Sequence, residues 1–219
     1  MKYTTHILAL ILLFVITACG DETPSSAITY TDVALVNSVT DRGTGFTIAG
    51  RENLVTTELH SSAVLKSDGT ELTGNCIVIQ YTVIDSKTGE INLRNASIIS
   101  NYDASAGSSE DIKGWDDDKV TLLSHWTIGK HFIVRVALPY YPEKRRLGLM
   151  IDNSTLQDSY PQAYLCHSLQ GSIDPGDTFY RNYYVAFDLT DIADAKDWNG
   201  LTINVNDPKL KDKKITIDF

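Results

Sequence analysis

An all-β fold in two consecutive units is what this chain predicts, and three observations carry the prediction. Almost every segment beyond residue 27 is rich in β-branched and aromatic residues, with Gly, Asp, Asn or Pro between segments. Those turn signals recur at the short spacing of sheet proteins. Residues 100–114 then lose periodicity in a run of Ser, Gly and Asp, dividing the strands into residues 28–103 and 115–219. A chain of 219 residues has room for one domain or two small ones, each able to bury a core.

In the first unit, residues 28–38 open with a β-branched run. Gly43 and Gly45 mark a turn before Phe46-Thr-Ile48, and Leu54–Leu59 follows with imperfect alternation. Residues 67–70, Ser-Asp-Gly-Thr, read as a turn. Asn75–Ile84 is the clearest strand. Ile77, Ile79, Tyr81 and Val83 line one face, yet Cys76, Val78 and Ile84 make the other apolar too, as expected of a strand buried on both sides. Asp85-Ser-Lys-Thr-Gly89 closes a hairpin onto residues 90–99.

In the second unit, strands are expected at Lys119–His125, His131–Leu138, Leu147–Asp152, Gln162–His167, Tyr183–Asp188, Leu201–Val205 and Lys214–Phe219. Only Leu189–Trp198 has room for a short helix, with Thr190 or Asp191 as its cap.

The N-terminus supplies an address. Lys2 precedes an apolar run, Ile7–Ile16, too short to span a bilayer, and the run ends in Ile16-Thr-Ala-Cys19. That ending resembles a bacterial lipobox, in which small residues permit cleavage and the Cys19 thiol accepts a diacylglyceryl group. Residues 1–18 then read as a lipoprotein signal peptide and residues 19–27 as a flexible tether. Several acyl chains, at about 0.8 kcal/mol per buried CH2, give a lasting membrane anchor. The expected location is the outer membrane. Asp21 and Glu22 resemble a surface-export signal, and display outside the cell and a periplasmic orientation both stay open. The formal net charge is −9, which disfavours nucleic acid and electrostatic docking on anionic lipid.

The lipobox, Cys76–Ile84, Trp126-Thr-Ile-Gly129, Leu165-Cys-His167 and Tyr184–Leu189 together resemble the NigD-like family of bacterial envelope lipoproteins. The resemblance implies an N-terminal OB-like β-barrel followed by a C-terminal β-sandwich, and an association with bacteriocin-type peptides without an assigned reaction. Family members tend to carry a basic residue before the histidine and Asn after it, where this chain has Cys166 and Ser168, and an Arg before Tyr81 that is missing here.

No catalytic constellation or cofactor motif stands out. His125 and His131 are six apart, a spacing that matches no common metal pair, and Asp116-Asp-Asp118 lacks the Gly and distal Glu of a calcium loop. Cys166 and His167 are neighbours in a strand and so face opposite sides. Cys76 and Cys166 read either as a disulfide stapling the two units or as two buried free thiols. The second unit is crowded with aromatics. Tyr140 and Tyr141, with Arg145 and Arg146 beside them, are the expected binding surface, joined by Trp126 and His167. The expected role is a non-catalytic binding module for a peptide or another envelope protein. A glycan-binding module is the second reading, and a hydrolase built on His167 and His125 the third.

Overall fold

The computed structural model describes residues 28–52, 54–66, 71–115, 117–140, 145–169, 179–193 and 197–219. The signal segment, Cys19 and the tether lie outside these.

The first unit is a closed barrel. Its strands are β1 (Thr29–Thr40), β2 (Gly43–Ile48), β3 (Glu58–Ser61), β4 (Cys76–Asp85) and β5 (Glu90–Ile98), in the order β1-β2-β3-β5-β4 with β4 returning to β1. All pairs are antiparallel except β3 with β5. This is the five-stranded order of an OB-like barrel. Alternation fills its interior with Ala34, Val36, Phe46, Ile48, Leu59, Ile77, Ile79, Tyr81 and Ile91. The β1 register shifts between Val36 and Ser38, a bulge of the kind that bends a strand around a barrel. Gly89 ends the β4–β5 turn at φ 75°, and an added Cβ there would run into the Glu58 carbonyl oxygen.

The second unit is a sandwich of two sheets. One holds β14 (Lys214–Asp218), β13 (Gly200–Val205), β11 (Gln162–Leu169), β10 (Arg145–Asp152) and β7 (Ser105–Gly107), in that order. The other holds β6 (Ser100–Asp103), β12 (Tyr180–Asp188), β9 (His131–Pro139) and β8 (Thr121–Ile128). Phe132, Val134, Val136 and Leu138 of β9 meet Leu147, Leu149, Ile151, Leu165 and Ile203 of the facing sheet. Phe132 and Phe187 stack at 6.3 Å.

The expected break over residues 100–114 is corrected. Ser100–Asp103 pairs with β12, so the first unit ends before residue 103. After Ala104 the chain crosses to the other sheet and pairs with β10. Small polar residues hide these strands from pattern reading because both are short edge strands. A helix, α1 (Ser109–Lys113), follows, started by a capping box in which Ser108 and Asp111 exchange side-chain and backbone bonds. The second helix, α2 (Thr190–Ala193), is short and has Thr190 and Asp191 inside it rather than capping it, while Asp188 accepts from the Thr190 amide at 2.8 Å.

The two units meet along an apolar seam. Val33 and Cys76 on the barrel exterior pack with Ile128, Ile133 and Ala186 on the outward face of the four-stranded sheet. That accounts for a β4 strand apolar on both faces: one lines the barrel core and the other this seam. Ile84, beyond the seam, is exposed. Asn101 clasps the seam, accepting from the Cys76 amide at 2.7 Å and donating to the Cys76 carbonyl at 2.9 Å. Asn101→Ala strands both buried groups, and unfolding free energy is expected to fall by about 1–3 kcal/mol. Chemical denaturation reads the loss directly, and an unchanged midpoint would show that the apolar seam suffices alone.

Candidate functional site

The register of β9 with β12 ends by placing Pro139 opposite Tyr180. The next residue out on each strand, Tyr140 and Phe179, is therefore also opposed, and the Tyr140 amide donates to the Phe179 carbonyl at 2.7 Å. Their rings stack with centroids 4.7 Å apart and planes 11° apart. The Arg181 guanidinium lies 4.5 Å from the Tyr140 centroid and 5.2 Å from that of Phe179. Phe179 is 51 % exposed and Tyr180 62 %. Beside them Arg145 covers the Tyr183 ring at 5.1 Å and donates to the Pro139 carbonyl at 2.6 Å. The end of the sandwich thus presents ordered aromatic surface with fixed guanidinium groups, the composition that protein interfaces favour.

The structure brings Tyr140 and Arg145 together here and separates the other expected residues. Tyr141 lies outside the described residues. Arg146, next to Arg145 in a strand, points to the opposite face and covers Trp115 at 4.4 Å. Trp126 is on the seam, in edge contact with Tyr184 at 6.3 Å. His167 is a correction: it is fully buried, so it lines no surface. Its Nδ1 meets the Lys119 carbonyl at 3.3 Å while Nε2 is buried without a partner. Strand register, not sequence proximity, carries Phe179 and Arg181 to Tyr140.

His125 and His131 stand on β8 and β9 around a turn at Gly129, which has φ 55°. His131 Nε2 meets the Gly74 carbonyl at 3.1 Å and Asp188 at 3.5 Å, bridging barrel and sandwich. Cys76 and Cys166 are free. Burial pushes both thiols up to about 12, with Asp188 adding to the shift at Cys76 and Asp117 at Cys166. Neither is a nucleophile at neutral pH.

Similarity to solved structures extends over most of the chain. A DUF1344 protein of unknown function from Bacteroides vulgatus superimposes with a TM-score of 0.65 at 17% identity, covering 88% of this chain and 90% of its own. A Bacteroides fragilis protein provisionally named a lipoprotein gives 0.60 at 12%, covering 88% and 98%. A NigD-like immunity protein from Bacteroides caccae gives 0.53 at 12%, covering 85% and 90%. This chain has their fold. The resemblance to NigD-like proteins read in the sequence is therefore met in the architecture of barrel and sandwich. No protein-family model and no curated protein matches the sequence.

Burial lowers the affinity of His167 for a proton, and the Arg145 charge adds to this against weaker opposition from Lys119 and Asp118 backbone groups and the Asp118 charge. His125 shifts the same way through burial. The unfolded chain then binds more protons than the folded one below about pH 6.5, so stability falls as pH drops through that value. Urea midpoints at pH 7.5 and 5.0 should show the fall, and His167→Leu should flatten it.

Proposed function

We propose that this protein is a non-catalytic binding module, held at the outer membrane by acyl chains on Cys19, which engages a peptide or another envelope protein. The Tyr140–Phe179–Arg181 stack carries the reading. Rings already held against each other and against a guanidinium lose little freedom when a partner covers them, which favours recognition over chemistry. Burial of His167 removes the residue on which a hydrolytic alternative was founded. The lipoprotein and immunity-protein names of the structural neighbours agree with an envelope role.

The test places a photo-crosslinking residue at Tyr180 in intact cells, with intact-mass measurement of the membrane-extracted protein. The expected result is a lipid-sized increment on Cys19 and a discrete adduct that Arg181→Glu abolishes. Absence of any adduct would overturn the binding role. An unmodified Cys19 would overturn the anchor.

A further inference from the structure

Away from the end patch, an open groove of 440 Å³ lies on the outward face of the five-stranded sheet. Trp115, Asp117, Tyr164, Asn204, Asn206 and Lys213 line it. None of them is needed to fill the sandwich core, which lies on the other side of that sheet.

Three features show that the groove is built rather than incidental. Gly148, in mid-strand on β10, is where the indole rests: an added Cβ would stand 2.9 and 3.0 Å from Cη2 and Cζ2 of Trp115. Arg146, two residues back on the same face, covers the ring at 4.4 Å. The indole is therefore held in place by the strand beneath and the guanidinium over it. Second, the only non-glycine residues with left-handed backbone among those described are Asp117 at φ 49° and Lys213 at φ 50°, and both line this groove. Such conformations persist where surrounding contacts enforce them, and they gather at functional sites. Third, the carboxamides are fixed. Asn206 donates to the Asp117 carbonyl at 2.6 Å and accepts from Lys213 Nζ at 3.5 Å, while Asn204 donates to the Ala163 carbonyl at 3.0 Å.

The lining selects a chemistry. A fixed indole beside the Tyr164 ring offers a flat apolar platform, and the anchored amides offer directional partners for hydroxyl groups. Lys113 and Lys213 outnumber Asp117 in the lining, with Arg146 adjoining, in a chain whose formal net charge is −9. We propose that this groove binds a saccharide ring bearing a carboxylate, with the apolar sugar face on Trp115, hydroxyls on Asn204 and Asn206, and the carboxylate on Lys213. The site is separate from the end patch and does not depend on its role.

Calorimetric titration of the full chain with trigalacturonate, and with maltotriose as the uncharged counterpart, tests the assignment. Trigalacturonate should bind and maltotriose should bind far more weakly. Trp115→Ala should weaken binding up to about tenfold. Gly148→Ala, which displaces the indole while leaving the identity of every lining residue unchanged, should act in the same direction. Lys213→Gln should erase the preference for the acidic sugar without altering the thermal midpoint. Tyr140→Ala should leave binding unchanged. Failure of trigalacturonate to bind, or binding indifferent to Trp115→Ala in a folded variant, overturns the site. Equal affinity for the two sugars overturns the carboxylate assignment.

Discussion

The seam between barrel and sandwich is the constraint on which the rest of this structure depends. Neither unit is self-sufficient there: Cys76 and Val78 are apolar groups on a barrel exterior, and Ile133, Ala186 and Tyr184 are apolar groups on the outside of a sandwich sheet. Each face satisfies the other. The chain enforces the match by passing directly from one unit to the other, since β5 leaves the barrel at Ile98 and β6 begins at Ser100 as an edge strand beside β12. Asn101 sits in that strand and turns its amide back onto Cys76. A buried backbone pair at the start of β4 thus finds its partner in the sandwich, which fixes the units in register as an apolar contact alone does not.

Polar contacts around the seam follow the same logic. Asp32 accepts from Tyr81, whose ring fills the barrel, and pairs with Arg51, which lies 4.9 Å from the Tyr30 ring. The hydroxyl of a core residue therefore ends in a charged cluster at the barrel surface, beside the cleft lined by Asp32, Trp126 and Tyr184. His131 and Asp188 close the opposite side. Barrel and sandwich are joined by an apolar centre with a polar rim, the arrangement of a protein–protein interface within one chain.

Strand content and the paired character of β4 were legible in the sequence because burial on both faces leaves a continuous apolar run that no surface strand shows. The edge strands were not legible. Residues 100–107 owe their conformation to partners 45 and 85 positions away, and their own residues, small and polar, carry no period. The candidate site divided in the same way. Tyr140 and Arg145 stood out by local composition, whereas Phe179 and Arg181 reach them only through the β9–β12 register. Arg146 and His167 were misplaced for one reason: alternation along β10 and β11 sends neighbours to opposite faces, and which face looks into the core is decided by packing. The signal for α1 was present, in the Ser108–Asp111 capping pair, inside a stretch that otherwise reads as linker.

Arginine placement ties these observations together. Arg51, Arg135, Arg145, Arg146 and Arg181 each lie over an aromatic ring, at 4.4 to 5.7 Å from a centroid. A guanidinium is weakly hydrated and flat, so it stacks where an ammonium stays in water. Stacking also makes burial tolerable for Arg135 Nε and Arg145 Nη1, which have no hydrogen-bond partner. An acidic chain has few cations to spend on chance positions. Here they are pinned to rings on three separate surfaces: the barrel rim, the end of the sandwich and the Trp115 groove. Fixed positive charge beside fixed aromatic surface is costly to desolvate under a partner that does not compensate it, and selective for an anionic or aromatic one. The rings and guanidinium groups are thus held at the ends and edges of the sheets, where the strands fix their spacing.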